Sequence, residues 1–136
     1  MAMAVHIKAE PDFILAVVTG EFSLEEAKRT SLEIFDAVAQ TKIEKVLVDG
    51  WGLTGVPTVM DRFQYAEFVA EAVMYCRMRG IVVLPKFAYV LKRPVLDPDK
   101  FVETVAANRG LSVKTCDNMD EALAWLEARP ASKPKA

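Results

Sequence analysis

The chain has 136 residues, 52% of them hydrophobic and 26% charged, with 17 Lys and Arg against 19 Asp and Glu. That size and balance fit one soluble globular domain able to bury a core without disulfide or metal staples. A formal net charge of -2 leaves no basic footprint for nucleic acid, and no apolar run reaches the roughly 18 residues of a membrane span.

Two apolar runs, residues 5–9 and 13–19, flank Glu10-Pro11-Asp12, whose Pro and Asp favour a turn, so an antiparallel hairpin is expected to open the chain. Ser23 and Glu26 have the S-x-x-E spacing of a capping box, and Leu24, Ala27, Ile34, Phe35 and Val38 then recur at helical spacing. Residues 45–49 read as the next strand. Val46, Leu47 and Val48 are too uniformly apolar to be half exposed, which suits the middle of a parallel sheet. A Gly-punctuated loop should follow, leading to a second helix that starts between Pro57 and Asp61 and runs to about Met78, with Gly80 ending it.

That second helix has an unusually broad apolar surface. Phe63, Ala66, Val69, Ala70 and Val73 form one stripe, Tyr65, Phe68, Ala72 and Tyr75 a neighbouring one, and Gln64, Glu67 and Glu71 a narrow polar edge. Of the two extended segments divided by Pro85, Phe87-Ala-Tyr-Val-Leu91 is the better sheet strand. Asp97-Pro98 supplies an N-cap acceptor and an N1 proline for a third helix that Gly110 closes. Residues 111–115 form a short strand, and Met119, Ala122, Leu123 and Leu126 define a last amphipathic helix with Trp125 at its flank. Strands alternating with helices imply right-handed crossovers. The expected fold is α/β: a mixed, mostly parallel sheet of about five strands with an N-terminal antiparallel hairpin and about four helices. Residues 1–129 would form the single domain. The proline-broken, basic segment 130–136 would be a flexible tail.

The order of elements resembles the SpoIIAA-like proteins, relatives of the STAS (sulfate transporter and anti-sigma-factor antagonist) domain. The resemblance covers nearly the whole chain. It rests on the hairpin, on Val46-Leu-Val-Asp49 with its glycine exit and on Phe87-Ala-Tyr-Val90. More specific are Phe101-Val-Glu-Thr-Val-Ala-Ala-Asn-Arg-Gly110 and the following Glu121-Ala-Leu-Ala-Trp-Leu126. It implies a small cytosolic, non-enzymatic domain with a curved sheet and helices packed mainly on one face. In the anti-sigma-factor antagonists of that fold, a serine in an Asp-Ser-Ser-Gly motif after the third strand is phosphorylated and switches partner binding. Here the equivalent loop reads Val56-Pro-Thr-Val-Met60, and Thr58 stands near the phosphorylatable position.

The candidate functional residues lie in the segment 49–58, which includes Asp49, Trp51, Thr54 and Thr58, and on the second helix at Tyr65, Phe68 and Tyr75. Thr58 is either a phosphoacceptor at a helix N-terminus or simply the cap of that helix. Asp49 ends a strand where carboxylates often hold metal or substrate in open α/β sheets, or else it accepts bonds from the loop's own backbone. No second Asp, Glu or His lies close enough in sequence to complete a ligand set, so no metal or cofactor is expected. Trp51, between two glycines, is a partner anchor, a pocket wall or a lid over the core. The Gly-x-Gly here lacks the third glycine and immediate helix of a dinucleotide fingerprint. His6, the only histidine, falls on an expected edge strand and suits a surface role. Cys76 and Cys116 have no CxxC spacing and read as free, inert thiols in a reducing cytosol. The start of the chain has no signal-peptide pattern, so the protein is expected to be cytoplasmic.

A surplus apolar helix face signals a partner surface, a ligand groove or internal burial under another segment. The first reading is therefore a regulatory interaction module, homodimeric, with a regulatory protein partner. The second is a carrier of a small apolar molecule or lipid, in a pocket between the second helix and the sheet. An enzymatic reading would need a distant carboxylate to pair with Asp49.

Overall fold

The computed structural model describes residues 3–96 and 100–128, with the side chains of residues 70 and 101 excepted. The chain runs β1 (Ala4–Ala9), β2 (Ile14–Glu21), α1 (Leu24–Thr41), β3 (Lys45–Thr54), α2 (Val59–Met78), β4 (Lys86–Val90), α3 (Phe101–Asn108), β5 (Ser112–Cys116) and α4 (Met119–Leu126). The sheet order is β1-β2-β3-β4-β5, with β1 antiparallel to β2 and the other pairs parallel. This is the expected α/β fold with five strands and four helices.

The position of each helix follows from that order. Right-handed crossovers taken repeatedly in one direction across a sheet place every connecting helix on the same face. Accordingly α1, α2 and α3 share one core with the strand residues Val46, Val48, Phe87 and Val113. The helix after β5 crosses nothing and is free to use the other side. There Ala122 and Leu126 of α4 pack against Leu47, Ala88, Val90 and Cys116. Alternation along each strand separates the two cores, and Val46, Leu47 and Val48 are buried on both sides because β3 is covered above and below.

The sequence places the end of β3 at residue 49, but the strand continues to Thr54. After a register shift between Val17 and Thr19 of β2, Gly52, Leu53 and Thr54 pair with Thr19, Gly20 and Glu21. The glycines are there for closeness of neighbours. A Cβ on Gly50 would stand 2.6 Å from Leu91 Cδ2, and one on Gly52 would stand 2.9 Å from Thr19 Cγ2. They mark a tight strand rather than a loop.

Capping also differs from expectation. Ser23 is the N-cap of α1 in extended conformation but makes no side-chain cap bond; its backbone N–H instead points at Met3 Sδ, 3.4 Å away. The reciprocal box belongs to α2. Asp97 and Pro98 lie outside the described residues, and α3 starts at Phe101 after Lys100 in left-handed conformation. The segment 129–136 lies outside them too, so the expected tail is not described. Gly80 and Gly110, at φ 81° and 84°, follow α2 and α3 as the sequence suggests.

Leu126 is completely buried against the α4 side of the sheet. Leu126→Ala is expected to cost roughly 2–5 kcal/mol by leaving a cavity between α4 and the sheet. Chemical denaturation of the two proteins checks this, with a midpoint shift and little change in slope expected.

Candidate functional site

The residues singled out by sequence fall on two faces of the sheet. Asp49 pairs laterally with Val17 and Val90, and Val90 belongs to the α4-side core. Lateral neighbours on a pleated sheet face the same way, so Asp49 lies on the α4 side, while Trp51 falls within the register shift between Asp49 and Gly52. Tyr65, Phe68 and Tyr75 belong to the opposite core. The two groups do not form one site.

Asp49 Oδ1 accepts the backbone N–H of Trp51 at 3.2 Å. This bond lies within β3, across the register shift that follows Asp49. Trp51 is 47% exposed and is no lid; its ring lies 5.7 Å from Lys92 Nζ, a cation–π contact at the surface. Thr54 is exposed, donates from Oγ1 to the Gly20 carbonyl at 3.4 Å and accepts the Phe22 N–H on its carbonyl at 2.9 Å, tying β3 to the start of α1. His6 is exposed on the edge strand β1. Among the described residues no three His, Cys, Asp or Glu side chains cluster closely enough to hold a metal ion. No described helix is long and apolar enough to cross a membrane.

Thr58 is the N-cap of α2. Its Oγ1 accepts from the Asp61 N–H at 2.9 Å, and Asp61 Oδ2 accepts from the Thr58 N–H at 3.0 Å. The box satisfies two otherwise orphan donors and places a carboxylate in the first turn.

The aromatic stripe of α2 is engaged within the chain. Tyr65, Phe68 and Tyr75 are half-buried against the core. Tyr75 OH donates to Asp36 Oδ1 on α1 at 2.7 Å, with Arg79 paired to the same carboxylate. Tyr65 OH shares hydrogen bonds with Ser31 Oγ on α1 at 2.9 Å and with Tyr89 OH on β4 at 3.2 Å. Phe68 lies 6.0 Å from the Tyr65 ring, centroid to centroid. Under this part of α2 lies a partly open cavity of about 110 Å³ between α1, α2 and the sheet. Its walls are mostly aliphatic, including Val18, Ile34, Val48, Leu53 and Val102, and Ser31, Tyr65 and Tyr89 are among its lining residues. Burial holds the Tyr89 hydroxyl well above its ordinary pKa, and its Tyr65 neighbour pushes it further in the same direction.

The exposed apolar residues are a different set, which the sequence reading missed. Val59, Met60, Met74 and Met78 of α2 and Val82 and Val83 just beyond it are 55–93% exposed. Phe63, expected in a core stripe, is 45% exposed. Met60, Glu67, Glu71, Met74 and Met78 follow helical spacing and form one ridge. The ridge is apolar at both ends and acidic in the middle. Beside its acidic part is a cleft of about 300 Å³ lined by Lys28, Gln64, Glu67, Phe68 and Glu71. The available signal was the helix's apolarity on all sides, which allots apolar residues to an outer face as well as an inner one.

Thr58→Ala is expected to cost about 1 kcal/mol in unfolding free energy by orphaning a helix donor, whereas Thr58→Ser should retain most of it; denaturant titration distinguishes the two. Both cysteines are buried, and burial raises the Cys76 thiol to about 11 and the Cys116 thiol also upward. Neither should be thiolate at pH 8, so iodoacetamide should leave the native protein unlabelled and modify both residues after denaturation.

No protein-family model matches the chain. No curated protein matches it in sequence. Among solved structures, it is similar to an anti-sigma factor antagonist from Mycobacterium paratuberculosis, at 13% identity and a TM-score of 0.55, over 93% of this chain and 95% of that one. It also matches an uncharacterized protein with a SpoIIAA-like fold from Shewanella loihica, at 15% identity and a TM-score of 0.48, over 92% and 94% of the two chains. The sequence resemblance thus holds at the level of architecture: the chain has the fold of that anti-sigma factor antagonist structure.

Proposed function

We propose that this protein is a non-enzymatic regulatory module that works by binding a protein partner on the outer face of α2. The observation that carries this reading is the ridge of Met60, Met74 and Met78 with Glu67 and Glu71 between them. Exposed, flexible Met side chains suit adaptable binding surfaces. The solved structure of an anti-sigma factor antagonist with the same architecture supports a partner-binding role by analogy of fold.

The charge pattern says what kind of partner fits. Antiparallel self-pairing about the middle of α2 would set Glu67 of each copy against Glu71 of the other, and like charges in contact oppose association. This favours a different chain over the homodimer expected from sequence. A complementary segment would present apolar residues on either side of one or two Lys or Arg, with a cation entering the cleft beside Phe68. In this reading Thr58 serves the helix rather than a phosphorylation switch. Its hydroxyl is held in the capping box, and a phosphoryl group there would place about -1.5 to -2 charges beside the Asp61 carboxylate.

A photo-reactive residue placed at Met74, with another at exposed Gln40 as control, tests the reading in cells of the source organism. The expected result is a discrete crosslinked protein from position 74 only, lost on the double charge reversal Glu67→Lys, Glu71→Lys. Equal crosslinking from both positions, or indifference to the reversal, contradicts it. The reversal itself should leave stability within about 0.5 kcal/mol of the parent, because both residues are exposed.

A further inference from the structure

The cavity beneath α2 is independent of that outer ridge and has its own chemistry. Three hydroxyls, those of Ser31, Tyr65 and Tyr89, form a chain with two hydrogen bonds between them. Each hydroxyl carries one proton. Two protons are used inside the chain, so one hydroxyl proton remains, on Ser31, Tyr65 or Tyr89 according to the direction of the two bonds, among residues that line an aliphatic cavity. An unmet donor in such surroundings is costly, and an acceptor atom entering the cavity would relieve it.

Two cationic groups at the wall already hold carbonyl or carboxylate partners. Arg62 Nη2 donates to the Pro94 carbonyl at 2.6 Å, and Lys100 Nζ donates to the Thr115 carbonyl at 2.8 Å and pairs with Glu103 at 3.6 Å. An ionised ligand would lose its hydration to mostly aliphatic walls, which disfavours it strongly. As for size, an engineered apolar cavity in another protein of roughly 150 Å³ takes up benzene. The 110 Å³ here, partly open at one side, suits a body of about one ring.

We infer that this cavity is a binding site for a small, neutral, apolar molecule carrying a single oxygen function, held by the Ser31–Tyr65–Tyr89 hydroxyl chain. The bound molecule would touch α1, α2 and β4 together, since the three hydroxyls come one from each. Its oxygen accepts the remaining proton and its apolar body replaces empty space or water against Val18, Ile34, Val48 and Leu53.

The test is titration of the folded full chain with phenol, toluene and benzoate, followed by calorimetry and by NMR of the tyrosine rings. These probes share a ring and differ in the group that meets the hydroxyl chain. Saturable one-to-one binding is expected, with phenol roughly fivefold tighter than toluene, the contribution of about one hydrogen bond. Benzoate should be weaker than both. In the double variant Tyr65→Phe, Tyr89→Phe, which leaves Ser31 as the one remaining hydroxyl of the three, the preference for phenol over toluene should shrink; Ala27→Leu, which fills the cavity from α1, should abolish both. Absence of saturable phenol and toluene binding by the parent protein, benzoate as the tightest of the three, or an undiminished phenol preference in the double variant would each overturn the proposal. Unaltered binding in a folded Ala27→Leu protein would do so as well. If Ala27→Leu does not fold, the titration of the parent and of the double variant decides the matter.

Discussion

Everything in this molecule hangs on β3, the middle strand of the five, hydrogen-bonded in parallel to β2 on one side and β4 on the other. Its Val46 and Val48 face three helices and its Leu47 faces the fourth. The strand runs beyond the core as well. Gly50 and Gly52 let Leu91 and Thr19 come close to the backbone, and this close fit carries the pairing on to Thr54. The start of α2, and with it every candidate site, is therefore set by how far β3 remains a strand. Sheet order does the rest, because strands added in one direction put α1, α2 and α3 on a common face.

Consequently α2 has two different tasks on its two sides. Its inner side supplies Ala66, Val69, Ala72 and Cys76 to the core and reaches α1 through Tyr65 and Tyr75. Those two contacts are hydrogen bonds from aromatic side chains, and they fix the helix laterally while leaving space under its first turns. Its outer side is apolar at both ends and, among the described residues, left exposed. A helix with only a structural role would gain nothing from Met74 and Met78 exposed at 62% and 79%. In this account the inner side sets the position of the helix and the outer side recognises a partner.

The architecture was legible in the sequence because each element carries its own local signal. The 3.6-residue spacing of Ile34, Phe35 and Val38, the uniform apolarity of 46–48 and the glycines after α2 and α3 are all read within short windows. The wrong details were those decided by tertiary neighbours. Gly50 and Gly52 read as loop residues because the close approach of Leu91 and Thr19 cannot be seen along the chain. Ser23 and Glu26 have the spacing of a capping box, yet the box formed at Thr58 and Asp61, because spacing does not fix rotamers. For the site, the broad apolar surface of α2 was visible, but the division between inner and outer was not. Phe63 and Tyr65 are equally plausible core residues until the position of α1 is known. The hydroxyl chain was invisible because Ser31, Tyr65 and Tyr89 come from three distant segments.

The central claim is that the outer face of α2 is an open surface in the isolated protein, and methionine footprinting by peroxide tests it most directly, since oxidation follows exposure. Met60, Met74 and Met78 should oxidise rapidly and at the same rate from low to high micromolar protein, while Met3, 5% exposed in the core, stays protected. Protection of those three to the level of Met3, or protection that grows with protein concentration, would show the face covered by the chain itself or by a second copy, and would contradict the account.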